Sequence, residues 1–392
     1  MTKTANNDLA AMWARHSAEW RDSAQICSQW REAERVDTRL LESKASRGWR
    51  ETLRELGITL LVTREYEHLV MALTSERTSY FPVPHPSGLV VDRENARVIL
   101  ASTRNPNQVY TLRPVTAMLE RSDMPGPRAK GGYLAPVASR FYPGSLYLHD
   151  LAVIGGKVFG NAVGHNAVAR LDPNGAFDLV WWPKAVERDG RPVTDRNYIQ
   201  LNSIAAGKNL ASSYFSASSA TMGRLRPGHL NYPVDRQGVI FSGKTREPIC
   251  TGLTRPHSAR LHNGKVWLAN SGYGELGFVQ DSQLEIVARL PGWTRGLCIV
   301  KDVAFVATSR LIPRFARYAP GLDTGTSRCA VHAVCCKTGK ILASLEWPRG
   351  NQVFAIDWID ATVSTGFPFE AGARKQSRLP AFFYTGVTDR NK

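Results

Sequence analysis

HSARLHNGKVWLANS (257–271) alternates apolar and polar residues on both sides of Asn263-Gly264. A period of two marks a half-buried strand, and Asn-Gly between two such runs is the strongest short-range signal of a β-hairpin. The phrase recurs with variation: PSGLVVDRENARVILAS (86–102), HDLAVIGGKVFGNA (149–162), NSIAAGKNLASSY (202–214), RGLCIVKDVAFVATS (295–309) and FAIDWIDATVSTG (354–366). Each is an apolar strand, a tight polar turn, a second strand and then small or polar residues. The starts are spaced widely enough for four strands per unit, so the expected fold class is all-β, a six-bladed β-propeller. ITLLVTREYEHLVMAL (58–73) is a hairpin without its own inner-strand phrase, and 354–366 is an inner strand without outer ones. Pairing them would close the ring.

Outward from the repeats the texture changes. Residues 8–56 read as helix, with Leu9, Trp13, Trp20, Ala24 and Cys27 at helical spacing and a break at Ser46-Arg-Gly before a second helix near 49–56. The expected organisation is an N-terminal helical extension (1–56), the propeller (57–366) and a C-terminal tail (367–392). The tryptophan stripe either packs on the propeller or docks a protein partner.

Composition narrows the class. The chain of 392 residues has 43% hydrophobic residues and ten tryptophans, enough for a large core. It has no apolar run long enough for a membrane span and no signal-peptide pattern, so a cytoplasmic location is expected. Cys27, Cys250, Cys298, Cys329, Cys335 and Cys336 read as reduced thiols, two of them adjacent. Almost all of the formal charge of +16 falls after the first 54 residues. Such an excess concentrates anionic partners. No zinc-finger, RRM or helix-turn-helix pattern is present, so nucleic acid is not the expected partner.

LHDLAV (148–153), PHSARLHNGKVWLANSGYGELGFV (256–279) and LPGWTRGL (290–297) together resemble a family of uncharacterised bacterial proteins that share a conserved domain of unknown function. The resemblance implies a propeller over about residues 58–363 and no particular reaction. The family's His-Leu-Asn-Gly phrase reads Gln200-Leu-Asn-Ser here, which leaves that histidine's role open.

Aligning the repeats puts Ser87, His149, Asn202, His257, Arg295 and Phe354 in one slot. At the start of inner strands, this slot would ring the mouth of the central channel. Loops between second and third strands open on the same face and would add Arg104, Asn161, His165, Tyr214, Tyr273 and Arg310, with Gln200 nearby. Three histidines, His149, His257 and His165, are candidate ligands for a divalent metal such as zinc, iron, copper or manganese. Such a metal would polarise a carbonyl or acidify a bound water.

Arg295 suits a carboxylate or phosphate. Asp150 could orient a ligand histidine, and Tyr273 or Tyr214 could move a proton. Asn202, Gln200, Arg104, Asn161 and Arg310 are candidate substrate-binding residues. The expected function is a metal-assisted lyase or hydrolase acting on an anionic small molecule, peptide or glycan. The alternative is a non-catalytic module whose basic face recognises an acidic partner, and a polar channel can also simply hold water.

Other signals are weaker. CAVHAVCC (329–336) has zinc-like spacing, but on a strand His332 and Cys336 face away from Cys329 and Cys335. Gly272-Tyr-Gly-Glu-Leu-Gly lies in a hairpin without the helix a phosphate-binding loop needs. Ser258 beside His257 faces the opposite way on a strand. The long segments 217–236 and 309–328 are candidate lids.

Overall fold

A computed structural model describes residues 7–14, 36–103, 107–115, 118–120, 132–371 and 381–383. Antiparallel sheets of four or five strands are arranged as six blades, and the innermost strands contact one another in sequence around a closed ring. Those strands are Ile356–Asp360 (blade 1), Pro86–Asp92 (blade 2), Leu148–Ile154 (blade 3), Leu201–Ala205 (blade 4), Pro256–His262 (blade 5) and Trp293–Val300 (blade 6). In the opening stretch, Asn263 and Gly264 both have positive φ, 49° and 75°, as a two-residue type I′ hairpin requires.

Blade 1 is made from both ends of the chain. Ile356–Asp360 lies against Ile58–Arg64, with Ile58 opposite Asp360 and Val62 opposite Ile356. Leu69–Leu73 and Thr78–Pro82 complete the blade, and Phe369–Glu370 adds to its outer edge. The C-terminal residues beyond 366 are therefore partly sheet, as Ala381–Phe383 also pairs with Met118–Glu120.

The N-terminal region keeps the expected second helix but departs from the expected helix before the break at Ser46-Arg-Gly. Residues 7–14 are helical and Trp49–Leu56 is a helix, but Thr38–Leu41 is a 3-10 turn and Lys44–Ala45 pairs with Leu345 and Glu346 on the edge of blade 6. The edge of blade 6 supplies hydrogen bonds that Lys44–Ala45 takes up instead, and Gly48, with φ of 88°, breaks the run before the second helix. Trp20, Ala24 and Cys27 lie outside the described residues. Among the described residues no helix is long and apolar enough to cross a membrane.

Every joint between consecutive blades holds its own apolar cluster. At the joint of blades 6 and 1, Trp49 packs edge-on to Phe305 with ring centroids 6.1 Å apart. On blade 6, His332 is held between Thr308 Oγ1 (3.1 Å) and Ser344 Oγ (2.8 Å). Burial pushes the thiol of neighbouring Cys329 up to about 12, so it is a protonated core group.

The start of each inner strand carries the feature that shapes the channel mouth. In blades 2 to 6 the register to the second strand slips at or beside the repeat slot, between Pro86 and Leu89, Leu148 and Leu151, Leu201 and Ser203, His257 and Arg260, and Thr294 and Leu297. A bulge of this kind re-aims side chains.

Candidate functional site at the channel mouth

Five of the six slot residues line one cavity of about 460 Å³ at the mouth: His149, Asn202, His257, Arg295 and Phe354. The sixth, Ser87, instead donates its one hydroxyl proton to the Leu148 carbonyl (2.8 Å), with the Ala101 carbonyl also in reach (3.0 Å), tying blade 2 to blade 3. The remaining wall comes from loops that reach the same face, including Glu65, Tyr66, Thr103, Tyr147, Asn197, Gln200, Arg226, Arg255, Trp293, Phe315 and Tyr318.

Arg295 is the best-braced cation. Its Nε donates to His257 Nε2 at 3.1 Å, and its guanidinium stacks on Phe354, 3.5 Å from the ring centroid. Because Nε2 accepts, the neutral His257 carries its proton on Nδ1, which donates to Ser258 Oγ (2.9 Å); that oxygen also accepts from the Gly296 amide (2.8 Å). Burial, then the neighbouring Arg295, pushes His257 well below the usual histidine range. Burial pulls Arg295 down to about 10. Its two terminal nitrogens make no hydrogen bond among the described residues.

Arg255 is the second buried cation and was not anticipated. It donates to Gln200 Oε1 and to the Pro227 carbonyl, stacks on Tyr318 at 4.1 Å, and is pulled down to about 10 by burial. Neither Arg255 nor Arg295 forms a salt bridge among the described residues. Among the described residues the cavity lining holds three arginines, Arg226, Arg255 and Arg295, against one carboxylate, Glu65, which accepts from Thr103 Oγ1 at 2.8 Å.

The two long loops meet over the mouth. Arg226 and Gly228 come from the first and Phe315 and Tyr318 from the second. Arg317 bridges them, donating to the Gly228 carbonyl (3.5 Å) and stacking on Tyr318 (4.6 Å).

Several expected site residues lie elsewhere. Asp150 is turned into the joint between blades, where it accepts from both terminal nitrogens of Arg260 (2.7 and 3.2 Å) and from the Ile204 amide (3.0 Å). It braces three blades and orients no histidine. Tyr273 points outward and donates to Asp235 Oδ1 at 2.9 Å, the contact that raises its pKa. Tyr214 begins the second strand of blade 4 opposite Ala205, at the end of the inner strand away from the mouth.

Arg310 donates to the carbonyls of Gly350 (3.2 Å), Ser327 (3.2 Å) and Pro348 (3.1 Å) and covers the Trp13 ring at 4.3 Å, which makes it a loop clamp. Asn161 is wholly buried in the second strand of blade 3, behind the cavity wall. Arg104 lies outside the described residues.

The three histidines do not converge. The His149 and His257 rings are 5.9 Å apart, but His165 packs on Phe177, 6.0 Å between centroids, and is absent from the cavity lining. The Nε2 lone pair that His257 would offer a metal already accepts from Arg295. Among the described residues no three His, Cys, Asp or Glu side chains are grouped as metal ligands.

Three wall residues missed from the sequence, Tyr147, Arg255 and Trp293, follow a rule that the expected Gln200 shares. Tyr147, Gln200, Arg255 and Trp293 each stand two residues before a slot residue, and the first three have positive φ (55°, 49° and 55°). That offset was readable in the same alignment that gave the slot.

Comparison with solved structures finds similar folds at low identity. A chain in the crystal structure of a nidogen/laminin complex is 9% identical with a TM-score of 0.52, over 78% of this chain and 99% of that one. A protein of unknown function from Bacteroides caccae is 10% identical (TM-score 0.49; 77% and 99%), and a gluconolactonase from Xanthomonas campestris is 11% identical (TM-score 0.44; 75% and 86%). At such identities the likeness concerns fold alone. No curated protein matches the sequence. The domain of unknown function DUF4915 matches residues 47–366, the span that builds the propeller and its mouth, and the chain belongs to that family.

Proposed function

We propose that the channel mouth binds a small anionic molecule and acts on it by lyase or hydrolase chemistry. Arg295 receives its carboxylate or phosphate and His149 moves a proton. The observation that carries this reading is the unspent edge of Arg295: its Nε and one face are fixed by His257 and Phe354, and both terminal nitrogens are left for a ligand. A planar guanidinium held in this way is pre-organised for bidentate binding of an oxyanion. A buried cation with no carboxylate hydrogen-bonded to it among the described residues is costly, and an anionic ligand adds to the charge that Glu65 supplies from a distance. Two buried arginines pulled below their ordinary range in one concavity add to the same reading.

The chemistry assigned to His149 follows from elimination. His257 is occupied on both ring nitrogens by Arg295 and Ser258, so its work is to aim the guanidinium. His149 is the other imidazole in the cavity, 5.3 Å from the Phe354 ring.

The test is calorimetric titration of the whole chain with a panel of small carboxylates and phosphates, beside Arg295→Met. Each hydrogen bond to a charged group contributes about 1.5–3 kcal/mol, so the variant should bind at least tenfold more weakly, roughly. Equal binding by the variant, or no binding of any anion by the wild type, would refute the proposal. Turnover screening of the anions that bind, with His149→Gln as the control, then tests the proton-transfer role: unchanged turnover in that variant removes it.

A further inference from the structure

We infer that the anion this mouth takes is an acidic sugar, a pyranose ring carrying a carboxylate; the inference rests on the anion-binding reading above. Three observations with separate origins specify the three parts of such a molecule.

The first is an aromatic wall on one side of the ring of blades, its rings tilted by up to 45° to one another. Tyr66 of blade 1 and Trp293 and Phe315 of blade 6 form a continuous aromatic surface, with Tyr66 stacked on Phe315 (centroids 6.1 Å, planes 28° apart) and Trp293 against Phe315 (4.5 Å). All three line the cavity. An aromatic face carries negative charge density and attracts the polarised C–H bonds on the flat side of a sugar ring.

The second lies across the channel, since blade 4 is three positions from blade 1 in a ring of six. Asn197 and Gln200, just before the inner strand of blade 4, line the cavity with primary amides whose orientation is forced. The Asn197 carbonyl oxygen accepts from the Gln200 amide N–H (2.8 Å), and the Gln200 carbonyl oxygen accepts from Arg255. Each therefore turns its NH₂ away from those partners, and neither NH₂ has a hydrogen-bond partner among the described residues. This side of the mouth offers donors and calls for oxygen acceptors on the ligand.

The third is the terminal edge of Arg295, which calls for a carboxylate. An aliphatic diacid lacks the ring of C–H bonds that the aromatic wall would meet. An aryl acid lacks ring oxygens for the amides, and a neutral sugar lacks the charge. An acidic pyranose has all three.

Calorimetric titration of the full chain with D-glucuronate, succinate, phenylacetate and D-glucose separates the possibilities without relying on any variant's folding. Glucuronate should bind roughly tenfold or more tightly than each of the others, because a ligand lacking one matching group leaves a polar or apolar wall unpaired. Succinate or phenylacetate binding as tightly as glucuronate would overturn the sugar assignment while leaving the anion site standing. Glucose binding as tightly would overturn the need for the carboxylate, and no binding by any of the acids would sink both readings. Gln200→Glu, which replaces a donor by an acceptor, should cut the preference for glucuronate over phenylacetate by roughly tenfold; an unchanged ratio would remove the amide wall from the argument.

Discussion

Asp150→Ala should destabilise the propeller severely and leave anion binding intact. The carboxylate accepts three hydrogen bonds, two from Arg260 and one from the Ile204 amide, and sits 2% exposed where blades 3, 4 and 5 meet. Burial alone would lower the pKa of Arg260, but the Asp150 charge more than offsets it and leaves it raised, a sign that the cation depends on this partner. Removing one member of a buried ion pair typically costs about 3–5 kcal/mol. The orphaned Ile204 N–H adds about 1–3 kcal/mol. Water reaches the Arg260 side chain, 22% exposed, and softens the first figure. The expected loss is about 4 kcal/mol, near the lower sum of the two costs.

Urea denaturation of wild type, Asp150→Ala and Arg260→Met would measure it, with the slope m checked for constancy across variants. The double variant should recover much of the loss, because the two side chains act as one unit. A change below about 1 kcal/mol would refute the brace. So would retained stability combined with lost anion binding, the result expected if Asp150 belonged to the reacting site.

The other predictions probe the cation, the buried histidines and the ring. Arg295→Lys keeps the charge but loses both the fork and the Nε bond to His257, so affinity for glucuronate should fall by roughly tenfold to a hundredfold with little change in melting; calorimetry showing equal affinity would mean that charge alone suffices. His332 is held down to about 4, chiefly by burial and then by Arg328. The unfolded chain takes up its proton below about pH 6.5 whereas the folded chain does not, so this stability is full above pH 6.5 and declines as pH falls towards 4. The loss reaches roughly 3 kcal/mol, and His332→Gln should flatten that part of the pH–denaturation profile; an unaltered slope would contradict it. A chain ending before Ile356 lacks the inner strand that covers Leu60, Leu61 and Val62, all fully buried, and should lose cooperative melting and near-ultraviolet dichroism. Wild-type spectra from that truncation would show that the ring does not need closing there.

The repeat phrases made the blades legible because each inner strand must present apolar residues to both neighbouring joints, and that demand recurs around the ring. The slot residues could be found for a related reason: the strand's entrance is where the apolar rule lapses. What could not be read was direction. Alternation along a strand predicts which of two faces a side chain takes, but the register slips at the slot, and that break is invisible to a period of two. Asp150 therefore looked like a companion of His149 when it belongs to the joint. Tyr273 and Arg310 sit in loops on the right face of the molecule yet fold outward or under, held by Asp235 and by backbone carbonyls. The aromatic wall was hidden for a different reason. Tyr66, Trp293 and Phe315 come from segments far apart in sequence, and only ring closure brings the first blade against the last.

The register slip also explains how one short phrase serves two ends. In blades 3 to 5 the slot residue faces the channel, and the residue after it faces the next blade. Asp150 reaches the Ile204 amide, Ser203 Oγ accepts from the Ala259 amide (2.7 Å), and Ser258 Oγ accepts from the Gly296 amide. Gly296, with φ of 80°, has no room for a side chain, since a Cβ there would come within 2.9 Å of Ile356 on blade 1. The bonds that hold blades 5 and 6 together are thus the bonds that orient the site. Gly296 fixes Ser258, Ser258 fixes the tautomer of His257, and His257 fixes the guanidinium of Arg295. Because this relay is anchored in the ring and not in a mobile loop, Arg295 is set before any ligand arrives. A cation aimed in advance into a cavity costs stability in the empty protein. Under the anion-binding proposal, that cost is offset when a ligand's negative charge joins that of Glu65.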